Sequence, residues 1–200
     1  INEYYDWEIE EEHRKARTLL LCNNVPNIQK RVLEQMDAEI IAMDTMNLWI
    51  DIAKETLDDV VSQVDILFIN DTEAQLYSNS ENLDEAAQKL LGKGPRYIII
   101  KKGEHGASLY TVDSVSHLPA FAVKKFVDPT GAGDSFAGAT MGYLTNVEAL
   151  DKDSLIVAMN YGAAVASITV EGFGTTRIMN LSKPEVEERF QKLSGGPGRI

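Results

Sequence analysis

The first hundred residues alternate between short apolar runs and longer stretches in which apolar residues recur every three or four positions. The apolar runs cover residues 19–21, 39–43, 65–69 and 97–100. They are too short for helices and are bounded by polar or turn-forming residues, so they predict buried strands. The periodic stretches cover residues 28–36, 48–61 and 83–91. Because this spacing is typical of an amphipathic helix, they predict three helices.

The alternation of strands and helices predicts the fold class. Strands that are separated by helices favour βαβ units and a parallel sheet. The fully apolar strands agree, because a parallel sheet is covered on both faces. Within 48–61, one helix would carry a single apolar face formed by Leu48, Ile52, Leu57, Val60 and Val61. The sequence therefore predicts an α/β fold with a mostly parallel sheet.

The pattern changes after residue 100. Residues 101–106 contain two glycines and predict a turn, and residues 107–111 and 115–120 predict the two strands of a hairpin. Three further helices are predicted at 136–144, 154–170 and 183–193, with a glycine loop at 172–174 after the second of them.

The length fits one domain with a core of its own. The chain has 200 residues, of which 44% are hydrophobic, and neither a repeat nor a low-complexity linker divides it. We predict a domain at residues 19–194, a charged approach segment at 1–18 and a flexible tail at 195–200. The sequence opens with neither a start methionine nor a signal pattern, which favours a piece of a longer protein.

The charge, the hydropathy pattern and the cysteine content limit the partners and the cellular location that the sequence predicts. A net charge of −12 and a pI near 4.7 argue against the broad basic surface that nucleic acids require. No apolar run is long enough to predict a membrane span. Cys22 is the single cysteine, so no internal disulfide is expected and a reducing, cytoplasmic location is favoured.

The most informative stretch is Val127–Gly138. An extended Asp-Pro-Thr segment leads into a Gly-Ala-Gly turn and then into a predicted helix of small apolar residues. At such a helix start the first backbone N–H groups have no partner within the helix and point at an anion. Asp134 falls in the first helical turn, where the helix dipole favours an ionised carboxylate. We call residues 128–134 the anion loop, and predict that it binds an anion beside a carboxylate base.

Other glycine motifs fit this stretch poorly. Gly133–Thr140 has the spacing of a P-loop, but Ala139 stands where the lysine is required. A dinucleotide-binding G-x-G-x-x-G motif is excluded because Gly138 comes two residues too late. Ser135 could be the nucleophile of a serine esterase, but Ala137 breaks G-x-S-x-G. The three histidines are scattered and show no metal-ligand spacing.

Polar residues follow several predicted strands. These groups are Asp44 and Asn47, Asn70 and Glu73, residues 101–106, and the anion loop. Ligands of open α/β sheets gather at the carboxyl ends of the strands, so the four groups together favour a binding site. Asp44 or Asn70, taken alone, is more typical of a helix cap or a turn.

The motifs resemble those of one family. Asp-Pro-Thr-Gly-Ala-Gly-Asp-Ser-Phe at 128–136 resembles the C-terminal signature of the ribokinase-like (PfkB) carbohydrate and nucleoside kinases. Residues 70–73 (Asn-Asp-Thr-Glu) fit the family's N-x-x-E motif. Residues 97–107 resemble its nucleotide-site strand and turn, and 161–167 its small-residue helix beside the adenine. The resemblance runs in order over about 19–193. It implies a ribokinase-like three-layer αβα sandwich with a mostly parallel central sheet.

The resemblance also implies a reaction, the phosphorylation of a sugar or nucleoside hydroxyl by ATP. Asp134 matches the catalytic aspartate, which would take the proton of the acceptor hydroxyl. The amides of Gly131, Ala132 and Gly133 would form the anion hole for the transferred phosphoryl group.

Cofactor-binding roles are implied for a further set of residues. The nucleotide would lie against Lys101, Gly103, Gly106, Thr130, Gly162 and Ala163. Asn70 and Glu73 match the motif that organises Mg²⁺ and its waters. Asp128 and the loop 171–175 lie where the ligands of a monovalent cation such as K⁺ would come from. The loop departs from the family pattern, so dependence on K⁺ stays open.

The family's N-terminal region, with its Gly-Gly acceptor motif and strand lid, has no match in these residues. The acceptor therefore cannot be assigned, and a homodimer through the lid region stays open. The first hypothesis is that the protein is a sugar kinase. Its alternatives are a nucleoside kinase of the same fold, an inactive nucleotide-binding fragment, and the serine esterase that would use Ser135.

Overall fold

The structure is a computed structural model that describes residues 8–195. Residues 1–7 of the predicted approach segment and 196–200 of the predicted tail lie outside the described residues. The chain forms two compact units. The first holds the residues up to Ile100 together with Leu109–Val115, and the second holds Lys101–Ser108 and the residues from Ser116 onwards.

Six strands and nine α-helices are formed by the described residues. The strands are β1 Thr18–Leu21, β2 Ile40–Asp44, β3 Ile66–Asn70, β4 Tyr97–Lys101, β5 Ala107–Tyr110 and β6 Val115–Leu118. The helices are α1 Glu11–Arg14, α2 Pro26–Gln35, α3 Asn47–Ile52, α4 Lys54–Val61, α5 Asp71–Ser78, α6 Leu83–Leu91, α7 Ala132–Leu144, α8 Lys152–Thr169 and α9 Lys183–Leu193.

The strands form one sheet in the order β1-β2-β3-β4-β5-β6. β1 pairs with β2 in parallel, and so does β2 with β3, with Leu21 beside Met43 and Asp44 beside Phe68. β5 and β6 are joined by a tight turn in which the Thr111 amide donates to the Ser114 carbonyl. The predicted α/β class is confirmed, with helices between the parallel strands.

The core of the first unit lies where the apolar strands meet the apolar helix faces. Leu57, Leu67, Ile69, Leu90 and Ile98 are all completely buried. Full burial of such a side chain contributes about 1.5–3 kcal/mol before the entropy of ordering it is counted. The helix faces that the 3.6-residue period predicted therefore hold this unit together.

The stretch 48–61 differs from its prediction. Ala53 leaves the helical conformation, with φ −138° and ψ 31°, and divides the stretch into α3 and α4. Leu48 and Ile52, predicted on the apolar face, are 43% and 67% exposed. Neither glycine nor proline marks the break. The prediction of a single amphipathic helix was wrong, because only Leu57, Val60 and Val61 of the predicted face are buried, while α3 reaches the core through Ile50.

The second unit contains a close pair of helices, α7 and α8. A Cβ placed on Gly162 would lie 2.4 Å from Thr140 Oγ1 and 2.7 Å from the Phe136 carbonyl oxygen. The two helices can approach this closely because Gly162 has no side chain. α9 packs on α8 through Tyr161, whose ring centroid lies 3.9 Å from that of Phe190. Among residues 8–195, no helix combines the length and the apolarity that a membrane crossing needs.

Candidate active site

The anion loop ends in the first turn of α7. Gly131 adopts a left-handed conformation with φ 78°, which glycine reaches without strain. The Ala132 amide, which was expected to form the anion hole with those of Gly131 and Gly133, instead donates to the Pro129 carbonyl at 3.1 Å. Within residues 8–195, no protein acceptor takes up the amides of Gly131, Gly133 and Asp134. These N–H groups and the dipole of a 13-residue helix make the loop a site for an anion. Asp134 is exposed in the same turn.

Asp128 holds the anion loop in shape. Its two carboxylate oxygens accept the amide of Thr130 at 3.0 Å and the amide of Gly174 at 3.2 Å. These hydrogen bonds stabilise the ionised carboxylate and lower its pKa below the usual 3.8, with Thr130 as the larger cause. The carboxylate thus joins the anion loop to the glycine loop that follows α8. Both oxygens face backbone amides, so Asp128 has a structural role whether or not a cation binds.

Ser135 provides a second attachment. Its hydroxyl donates to the Gly131 carbonyl at 2.7 Å and accepts from the hydroxyl of Thr169 at 2.9 Å. A nucleophilic serine needs a base at its hydroxyl, and this one is directed to a carbonyl. The arrangement gives no support to the serine esterase alternative.

Lys101 lies against the anion loop. It ends β4, and a Cβ placed on Gly133 would lie 3.3 Å from its ammonium nitrogen. Any side chain at position 133 would therefore press on the lysine head. The structure brings a cation, the N–H groups of a helix start and an exposed carboxylate into one region of the second unit. In the sequence Lys101 comes 33 residues before Asp134.

The glycines after β4 serve two purposes. Gly103 opens a single 3-10 turn, Gly103–His105, in a left-handed conformation with open space around it. Gly106 follows with φ 85°, and a Cβ there would lie only 2.0 Å from the Leu118 carbonyl oxygen. Position 106 therefore requires glycine, because any side chain there would collide with the backbone of β6.

The residues predicted to border the nucleotide differ in accessibility. Thr130 is exposed in the anion loop, whereas Gly162 is buried against α7 and Ala163 is half-buried on α8. The structure gives Gly162 a packing role, so of this pair Ala163 is the one with surface to offer a ligand.

Asn70 and Glu73 lie in the first unit, where β3 passes directly into α5. The Glu73 amide donates to the Asn70 side chain at 2.8 Å, and the Asn70 amide donates to the Glu73 carboxylate at 3.0 Å. This reciprocal capping box fixes both side chains at the carboxyl end of β3. A carboxylate and an amide oxygen suit Mg²⁺, which keeps several waters and needs few protein ligands. The helix α5 itself was not predicted.

One contact of the site was missed by the sequence reasoning. The hydroxyl of Thr169 donates to Ser135, just after the anion loop, from 34 residues away, and its only signal was the small-residue pattern at the end of the helix 154–170. The Gly174 amide donates to Asp128 from 46 residues away. The resemblance implied that the loop 171–175 lies near Asp128, but as a source of cation ligands and not through this hydrogen bond.

Comparisons with known proteins agree with the motifs. A family model described as pfkB family carbohydrate kinase matches residues 2–181. Cytidine kinase of Thermococcus kodakarensis is 31% identical over 68% of this chain and 50% of its own length. Nucleoside kinase of Methanocaldococcus jannaschii is 34% identical over 70% of this chain and 43% of its own length. Ribokinase of Staphylococcus aureus is 31% identical over 61% and 40%. The chain therefore spans half or less of these relatives.

Solved structures show the same fold. Ribokinase of Thermotoga maritima superposes with a TM-score of 0.74 at 26% identity, over 96% of this chain and 61% of its own. A protein described as a ribokinase II from E. coli, solved with ATP and Mg²⁺, has a TM-score of 0.61 at 28% identity, over 76% of this chain and 49% of its own. The predicted ribokinase-like α/β fold is confirmed, and the chain belongs to the pfkB family of carbohydrate kinases.

Proposed function

We propose that the chain is the nucleotide-binding and catalytic part of an ATP-dependent kinase that phosphorylates a hydroxyl of a sugar. The observation that carries the proposal is the position of Lys101, whose ammonium group lies beside Gly133 at the start of α7. The lysine and the amides of Gly131 and Gly133, which no acceptor among residues 8–195 takes up, favour a phosphoryl group at this point. The exposed carboxylate of Asp134 is one residue further along.

The proposed reaction is an in-line displacement. The acceptor oxygen attacks the γ-phosphorus of ATP, a new O–P bond forms, and the bond from the γ-phosphorus to the β–γ bridging oxygen breaks to release ADP. Asp134 accepts the proton of the acceptor hydroxyl. A carboxylate is a weak base, so Asp134 orients the hydroxyl first and takes up the proton late. The amides of Gly131 and Gly133 stabilise the negative charge that develops on the transferred group.

The nucleotide is proposed to lie along the second unit. Lys101, Gly103, Gly106 and Thr130 border its phosphates, and Ala163 borders the adenine. The E. coli relative solved with ATP and Mg²⁺ supports this choice of nucleotide.

Metal binding is assigned to the first unit. Asn70 and Glu73 would hold Mg²⁺ through its waters. A monovalent cation beside Asp128 is a weaker proposal, because both carboxylate oxygens already accept backbone amides.

Changing Glu73 to Gln separates the metal role from the helix cap. Glutamine can still accept the Asn70 amide, so α5 should keep its capping box and the melting temperature should not move. Loss of the charge should raise the Mg²⁺ concentration for half-maximal activity by about 10-fold. Glu55→Gln is the matched control, because Glu55 is exposed in the first turn of α4. An unchanged Mg²⁺ requirement in Glu73→Gln would remove the metal assignment.

The identity of the acceptor distinguishes the candidate functions from one another. The relatives include kinases named for ribose and for nucleosides, and a nucleoside kinase is the second candidate. The test is ADP formation by the full-length gene product with Mg²⁺-ATP and a panel of sugars and nucleosides. We expect turnover with at least one sugar. Turnover with nucleosides alone would favour the second candidate. Nucleotide binding without turnover on any acceptor would favour an inactive fragment.

We also propose that the enzyme is located in the cytoplasm.

A further inference from the structure

The anion loop and the residues directly before and after it are anchored at three points to the end of α8 and the loop behind it. Thr169 contacts Ser135, the Val170 carbonyl accepts the Val127 amide at 2.8 Å, and the Gly174 amide donates to Asp128. All three anchors lie within six residues of one another. The shape of the anion loop therefore depends on whatever holds this segment, residues 169–174, in place.

Arg189 of α9 holds the segment from behind. Its guanidinium donates to Glu171 at 2.6 Å, to Ser167 Oγ at 3.0 Å and to Glu185 at 3.3 Å. Its side chain is only 11% exposed, and its guanidinium carbon lies 4.9 Å from the centroid of the Phe121 ring. A planar guanidinium with several fixed donors can hold a carboxylate and a hydroxyl at once, which the single ammonium of lysine does less well.

Arg177 is a second arginine that lies close to both Glu171 and Glu185. It donates to Glu185 at 2.6 Å and lies 3.9 Å from Glu171. Its aliphatic stem covers Gly172, where a Cβ would lie 2.4 Å from Arg177 Cγ. We call Glu171, Arg177, Glu185 and Arg189 the arginine–glutamate ring. The ring carries no net charge and contacts none of residues 128–134 in the bonds of the described chain, so its effect on the anion loop passes through the segment 169–174.

We propose that Arg189 is a positioning residue of the phosphoryl-transfer site, acting through Glu171 and Ser167 on the segment that anchors the anion loop. The proposal rests on the function proposed above. Without the guanidinium, the only ion-pair partner left to Glu171 among residues 8–195 is the more distant Arg177. The buried hydroxyl of Ser167 also loses the donor that Arg189 provides. The segment then moves more freely, and the amides of Thr130 and Gly174 spend more time away from Asp128. Transfer slows because the N–H groups of the loop are less well aligned with the phosphoryl group.

The test measures amide hydrogen exchange by NMR on the 200-residue chain, which needs neither nucleotide nor acceptor. Arg189→Met keeps the apolar stem and removes the guanidinium. We expect exchange about 10-fold faster at the amides of Thr130 and Gly174, with the amides in the middle of α8 unchanged. Arg189→Lys should give an intermediate rate. Lys192→Met is the matched control, because Lys192 lies on the same helix and its pair with Glu188 is exposed.

Two results would overturn the proposal. The first is unchanged exchange at Thr130 and Gly174 in Arg189→Met. The second is an equal acceleration at all amides of the unit, which would show a general loss of stability. In the full-length enzyme, kcat should fall by about 10- to 100-fold with little change in KM for ATP. If the unaltered enzyme transfers no phosphate, the proposed function fails, and the exchange rates still decide whether Arg189 orders the anion loop.

Discussion

Replacing Asp134 with asparagine should lower kcat by about 10²- to 10⁴-fold, the range that a positioned general base contributes. Asparagine has the same size as aspartate and fits the first turn of α7. It carries no negative charge and cannot take up the proton of the acceptor. Because the nucleotide contacts assigned to Lys101 and the loop amides are untouched, the dissociation constant for ATP should stay nearly the same. Steady-state kinetics and calorimetry on the full-length gene product measure the two quantities.

Asp153→Asn is the matched control for this change. Asp153 is also an exposed aspartate in the first turn of a long helix, α8, so its substitution alters net charge and helix dipole in the same way. The short connection from α7 to α8 places it at the far end of the helix pair from Gly131. Asp153→Asn should turn over at the unaltered rate. Turnover retained in Asp134→Asn would refute the catalytic assignment.

Gly106→Ala should destabilise the chain by about 3 kcal/mol or more, which combines overpacking with backbone strain. Gly106 has φ 85° and ψ −141°, a region that residues with a side chain rarely enter. The added methyl group would also lie 2.0 Å from the Leu118 carbonyl and 2.8 Å from the Ala120 amide nitrogen. Both neighbours are backbone and can move only if the strand moves. A urea titration followed by circular dichroism measures the change.

Gly103→Ala distinguishes the effect of backbone strain from the effect of overpacking. Gly103 is three residues away in the same turn and also has a positive φ, 54°, but nothing lies within 4 Å of the added methyl group. Only the strain of a left-handed residue remains, about 1–2 kcal/mol. Equal losses in the two variants would mean that the contact with Leu118 and Ala120 costs nothing, contrary to the geometry.

Local features of the chain were predictable because their physical causes are local. The helix 183–193 was predicted with the bounds that the structure gives it, and 83–91 likewise, since an apolar period and its end signals are read within a dozen residues. The Gly-Ala-Gly turn and the helix that starts beside Asp134 were found for the same reason. The break at Ala53 was missed, because no residue there opposes a helix and only packing against the core decides where α3 ends.

The capping box at Asn70 was predicted only in part from the sequence. Asn-x-x-Glu is a recognisable helix start. The sequence reasoning weighed a cap or a turn at Asn70 against a metal motif, but it predicted no helix after β3. Both interpretations use the same two side chains, and the structure shows that the cap is formed. A cap and a metal site are compatible, since the cap orients the carboxylate at the end of β3.

The sequence by itself determined the α/β class, the position of the anion loop, Asp134 beside it, and the resemblance to the kinase family. These depend on residue type and on spacing over a few positions. Only the tertiary structure decided which distant groups hold the loop: Lys101 beside Gly133, Thr169 on Ser135, Gly174 on Asp128, and Arg189 behind Glu171. Such contacts join residues 18 to 46 positions apart in the bonded pairs. Chain spacing does not specify them, because they form only when packed helices and loops bring the partners together.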